Sequence, residues 1–220
     1  MNADEDSAGR RPLWPEDLTA EEMRSNLGGL SLSDLVARFS VEGEYDDFYE
    51  AVAEELYRQG QAGIEVLGQE LVGRRVPQLR AALTVLALHQ GEDPAFVDAV
   101  RTLVGGSEPV VVADAIRILG SLGATDMGQA VRRTGDHQAP IVRAAVLDYL
   151  ARAEPDSARP ALMQGLNDSD YIVRETAVDA LDDLGVTDAV SAIEMLLEDP
   201  HEDVRLAART AVDNLRGRSS

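Results

Sequence analysis

The chain has 220 residues, 40 Asp+Glu against 20 Lys+Arg, and no cysteine, so its formal net charge is −20. Without cysteine it can form no disulfide, thiol nucleophile, zinc-thiolate site or iron–sulfur cluster. No run of 18 apolar residues is present to span a membrane, and the polar, acidic first thirty residues do not read as a secretory signal. The expected location is cytoplasmic.

The charge narrows the partners. A surface that tracks phosphate backbones must be positive, so −20 argues against nucleic acid and fits a basic protein partner, or a need to stay dispersed. All the basic residues are arginine. Residues 1–60 carry 15 acids and 5 bases, 61–140 carry 9 and 7, and 141–220 carry 16 and 8, so an electrostatic partner would meet two acidic ends around a nearly neutral middle.

Residues 1–12 are short, polar and terminal, and are expected to be disordered. Residues 13–30 read as a capping segment. Thr19 to Glu22 has capping-box spacing, a short helix follows to about Leu27, and Gly28-Gly29 ends it. Trp14, the sole tryptophan, either seals the end of the first repeat or is an exposed anchor for a partner. From Ser31 to residue 216 the sequence repeats itself, leaving 217–220 as a tail.

Val204, Val173, Val142 and Val111 lie 31 residues apart; a further step of 32 reaches Leu79, and 31 more reaches Phe48. Each of the six positions opens an amphipathic stripe. In the fifth unit Val173, Ala177, Ala180, Leu181 and Leu184 fall at i, i+4, i+7, i+8 and i+11, one face of a helix. A second stripe precedes each anchor, as in Ala192, Ile193, Leu196 and Leu197, so every unit reads helix A, turn, helix B. Proline after an acid (Asp93-Pro94, Glu108-Pro109, Asp199-Pro200) marks the turns. No stretch alternates at period two. The expected fold is all-α.

The pattern Asp168, Asp170, Val173, Arg174, Ala177, Ala180, Leu181 resembles the short HEAT-like repeats first described in phycobilisome bilin lyases. The resemblance covers about residues 31–216. It implies an α-solenoid of about six helix pairs with a right-handed superhelical course, each pair needing neighbours to bury its stripe.

Candidate functional residues fall into two groups. Asp168 and Arg174, and likewise Asp199 and Arg205, stand six apart, and Asp136 and Arg143 seven apart. An acid in the A–B turn and an arginine opening helix B can pair within or between units, because the arginine fork holds two acceptors. The resemblance implies a structural ladder here rather than a ligand site. The ladder breaks where Val112 replaces the arginine. The second group is the exposed row expected along the stacked B helices: Arg117, Asp148, Glu175, Asp179, Asp182, Arg209 and Asp213. It suits a basic peptide or helix; the competing reading is a solvated face of an acidic chain.

Nothing points to catalysis. His89, His137 and His201 lack metal-ligand spacing, and Glu54-Glu55 and Asp182-Asp183 splay on helices. No cofactor or metal is expected. The sequence therefore reads as a non-enzymatic scaffold or adaptor. Bilin-lyase-like tetrapyrrole handling is the alternative implied by the resemblance. A HEAT-like DNA glycosylase fits poorly, since only Arg74, Arg75, Arg80 and Arg132, Arg133 cluster.

Overall fold

The computed structural model describes residues 20–43 and 45–218, so Trp14 and the expected disordered segment lie outside the described residues. Among those residues all regular structure is helical, with no strand. The helices divide at Gly91 into two compact units, Met1–Gly91 and Glu92–Ser220.

The first unit holds α1 (Ala20–Leu27), α2 (Leu32–Phe39), α3 (Asp46–Arg58), α4 (Gln61–Glu70) and α5 (Val76–Gln90). Ser31 caps α2 by accepting the Asp34 N–H, which satisfies a donor the first turn would otherwise leave open. Phe39, Phe48 and Tyr49 meet edge to face in the core, and Tyr49 donates its hydroxyl to the Val41 carbonyl at 2.7 Å. Helix α3 packs on both α4 and α5.

The second unit holds α6 (Pro94–Leu103), α7 (Pro109–Ser121), α8 (Gly128–Arg132), α9 (Pro140–Ala153), α10 (Pro155–Gly165), α11 (Tyr171–Asp183), α12 (Val190–Glu194) and α13 (Glu202–Arg218). Helices α7, α9, α11 and α13 are the B helices, each packed on the next, and each has its A helix behind it. With α2–α3 and α4–α5, the pairs number six among the described residues, and α1 stands outside the repeat.

Two details depart from a uniform A–B unit. The fourth and sixth A segments are broken, with 3-10 turns at Thr125–Met127, Thr187–Ala189 and Met195–Glu198 flanking short helices. Helix α13 also runs to Arg218, beyond the residue 216 at which the repeat was expected to stop. Gly185 turns the chain from α11 at φ +66°, the left-handed conformation that glycine adopts without a Cβ penalty.

The Val112 break is an apolar, buried junction. Val111 and Val112 are buried, and α7 on α9 is the most extensive helix–helix contact among the described residues. Gly120 allows it: a Cβ there would stand 3.0 Å from the Tyr149 Cα. Tyr149 in turn donates to the Ala124 carbonyl at 2.6 Å, giving its buried hydroxyl a partner.

Candidate functional site

The 31-residue translation places Arg117, Asp148, Asp179 and Thr210 at one equivalent position on α7, α9, α11 and α13. Arg117 and Asp148 pair, Nε to Oδ2, at 3.1 Å. Asp179 has no such partner among the described residues. Its side chain is exposed, yet the surrounding helices displace enough water that its carboxyl is pushed up to about 6. Desolvation is the largest cause, and repulsion from Glu175, Asp183, Asp182 and Asp148 adds to it.

The rest of the expected row does not join this line. Glu175, Val178 and Asp182 share a different stripe of α11, on which Val178 is 0% exposed and Asp182 meets α13. Asp182 is expected to be exposed, but α13 covers it: Asn214 donates to its Oδ2 at 2.6 Å, and Arg218 donates to its backbone carbonyl. A second Arg218 nitrogen lies 3.7 Å from Oδ1, an ion-pair distance, and that buried oxygen has no hydrogen bond among the described residues. Arg209 and Asp213 occupy the stripe of α13 equivalent to Val178 and Asp182, both exposed, one 31-residue step removed from the α11 stripe.

The shifted titration of Asp179 has a sign that can be measured. Its folded-state pKa lies above its unfolded value, so the protonated form is the better bound, and ionisation between about pH 4 and 6 costs stability. Asp179→Asn should therefore stabilise the protein at pH 7.5 by roughly 1 kcal/mol, well under the full linkage value because solvent screens an exposed group. The gain should vanish near pH 4 in urea titrations run across that range.

The ladder has a consistent geometry. Arg143 grips the next repeat's Asp168, Nε to Oδ2 at 2.9 Å and Nη2 to Oδ1 at 2.7 Å. Arg174 grips Asp199 the same way, both bonds 2.8 Å. The third nitrogen, Nη1, donates backward to the arginine's own turn: to His137 and Gln138 carbonyls from Arg143, and to Asp168 from Arg174. Each arginine thus ties its own A–B turn to the following one. The guanidinium hydrogen bonds hold both carboxylates below the usual range, and the N–H groups of Asp170 and His201 add to this. Asp136, whose arginine would stand at Val112, is exposed and makes no ion pair among the described residues. Among the described residues Arg205 keeps only the backward bonds, to the carbonyls of Asp199 and Pro200.

A second set of ion pairs links A segments along the array: Arg101 with Asp126, Arg132 with Glu154, and Arg159 with Asp188. The sequence reading missed them because the partners lie 22 to 29 residues apart without a shared motif. The histidines have structural contacts. His201 stacks on Tyr171 with centroids 3.5 Å apart, His89 stacks on Tyr57, and His137 Nδ1 accepts the Ala139 N–H. A cavity of about 120 Å³ beside the ladder is lined by Asp136, Arg143, Leu147, Gly165 and Asp168.

Residues 129–213 match the family model for HEAT repeats. This segment is an array of HEAT repeats. It contains the ladder from Asp136 to Arg205 and all of the acidic line beyond Arg117. No curated protein matches the chain. Solved structures show the same fold at low identity. The complex of CpcE and CpcF of phycocyanin lyase from Nostoc sp. PCC7120 is 19% identical, covers 98% of this chain and 100% of that one, and has a TM-score of 0.53. An engineered protein is 18% identical over 84% and 96%, with a TM-score of 0.52. A designed armadillo repeat protein is 15% identical over 84% and 100%, with a TM-score of 0.50. The fold is an α-solenoid of HEAT and armadillo type. Among the described residues no helix is long and apolar enough to cross a membrane.

Proposed function

We propose that this protein is a non-enzymatic, cytoplasmic interaction scaffold that holds a basic segment of a partner protein along the line from Asp148 to Asp179. The observation that carries this reading is Asp179 itself, an exposed carboxylate crowded by four others and lacking an arginine partner among the described residues. A cationic side chain placed there would relieve that repulsion, and an isolated solvated acid would gain far less. HEAT arrays suit the role, since stacked helices present an extended, rigid surface.

The test is fluorescence anisotropy of a labelled arginine-rich helical peptide. Asp148→Asn with Asp179→Asn should weaken its binding by about tenfold, while charge removal at Asp213 leaves it unchanged. Affinity should rise between pH 5 and 7.5 as Asp179 ionises, and fall with added salt. Equal binding by wild type and the double variant would remove the reading.

Tetrapyrrole handling is the other reading, prompted by the likeness to phycocyanin lyase, which is one of fold alone. The 120 Å³ cavity beside the ladder is well below the several hundred Å³ of a typical small-molecule pocket.

A further inference from the structure

On α13, the last B helix among the described residues, one arginine fork is held in place with its outer edge unpaired there. Arg205 repeats the posture of Arg143: Nη1 donates to the carbonyls six and five residues back, at 2.8 and 3.1 Å in both cases. In Arg143 and Arg174 the opposite edge, Nε with Nη2, closes on an aspartate 25 residues ahead. In Arg205 that edge has no acceptor among the described residues. The backward bonds fix the guanidinium before anything binds, so much of the ordering cost of a carboxylate contact is already met.

The surface beside it has the same character. Ile116, Leu147 and Val178, at one equivalent position on α7, α9 and α11, are buried. Leu147 meets the next A helix, where a Cβ on Gly165 would stand 2.6 Å from its Cδ1. The equivalent residue of α13 is Arg209, which is exposed, and Leu206 on the same stripe is 61% exposed. The edge therefore offers an apolar side chain between two arginines one helical turn apart, on a chain whose net charge is −20. Exposed Glu202 and Asp213 flank this arginine pair on the same helix.

We propose that this edge of α13 docks a second helical-repeat protein, one whose inter-helix turn gives an aspartate to the Nε–Nη2 edge of Arg205 and a further acid or polar group to Arg209. The ladder would then continue across the interface as it runs from repeat to repeat inside the array. Bidentate contact makes the aspartate, rather than any single-point anion, the matching group. The surface is separate from the Asp148–Asp179 line and its anchoring side chains are arginines rather than carboxylates, so the two readings stand or fall separately.

The probe is a synthetic peptide of residues 188–218, an A–B pair carrying the turn aspartate Asp199, titrated into the full chain by calorimetry. Saturable binding is expected. Arg205→Gln in the chain and Asp199→Asn in the peptide should each weaken it about tenfold, and the two together no more than either alone. Binding indifferent to Arg205→Gln overturns the assignment. If the peptide does not bind, a covalent version decides: the same 31 residues appended directly after Arg218, which sets the new aspartate 25 residues beyond Arg205. There Arg205→Gln should lower the unfolding equilibrium stability about tenfold, while changing the 220-residue chain less than twofold. An extended chain whose stability Arg205→Gln leaves unchanged overturns it as well. In each case Arg205→Gln should leave cationic-peptide binding at Asp148 and Asp179 unchanged.

Discussion

Arg174→Ala is expected to lower the unfolding free energy by about 3 to 5 kcal/mol, because it strands a buried carboxylate. Arg174 and Asp199 are the most enclosed pair of the ladder, with side chains only 12% and 4% exposed. Removing the guanidinium leaves Asp199 with the His201 N–H as its remaining hydrogen-bond donor. It also frees the Asp168 carbonyl that Nη1 had held, so two turns loosen together. Arg143→Ala should cost less, since that pair is 17% exposed on both sides and water can reach the orphaned Asp168. Arg205→Ala, with no carboxylate to strand, should cost under about 1 kcal/mol. Urea unfolding of the three variants at pH 7 gives the order directly. The same logic fixes the pH dependence. Asp168 and Asp199 have folded-state pKa values below their unfolded ones, so their contribution is complete above about pH 4 and is lost as acid titrates them. Arg174→Ala should remove the guanidinium's part of the Asp199 share of that acid sensitivity, leaving the part held by the His201 N–H. The ladder and Asp179 thus pull in opposite directions with pH, and the two variants separate them.

The repeat was legible because burial imposes a strict period: Val142, Val173 and Val204 are all buried at 31-residue spacing. The ladder residues were legible for a related reason, since every turn must satisfy the same backbone groups. The direction of pairing was not. Asp168 lies six residues from Arg174 and 25 from Arg143, and chain proximity favours the nearer arginine. The structure divides the two: Arg174 takes the Asp168 carbonyl and Arg143 takes its carboxylate. The acidic row was half legible. Helical periodicity puts Glu175, Asp179 and Asp182 near one another, but it does not say which of them the following helix will cover. That depends on α13, whose Asn214 and Arg218 reach Asp182 from 32 and 36 residues away. Exposed Asp179 and largely covered Asp182 differ by only three positions, and one step around the helix separates open surface from interface.

Gly63→Ala is the second large effect, and no periodicity signals it. Helix α3 ends at Arg58, and Gly60 turns the chain at φ +74° and ψ −149°, a conformation open essentially to glycine. The turn is so tight that α4 starts directly against the last turn of α3. A Cβ on Gly63 would stand 1.7 Å from the Leu56 carbonyl oxygen and 2.6 Å from its carbon. Both are backbone atoms, so no side-chain rotation relieves the overlap. Helix α4 would have to swing away from α3, uncovering Leu56 and Leu67, both 0% exposed. The expected loss is about 3 kcal/mol or more, against a helix-propensity gain of about 1 kcal/mol for replacing glycine with alanine. Gly68→Ala is the matching control in the same helix: nothing lies within 4 Å of its Cβ position, so only the propensity gain of about 0.5 to 1 kcal/mol remains. Opposite signs at two glycines five residues apart, read by thermal and urea unfolding, would show that α4 is held by close backbone approach rather than by composition. Equal effects at both positions would show that the α3–α4 corner yields where its backbone contact says it cannot.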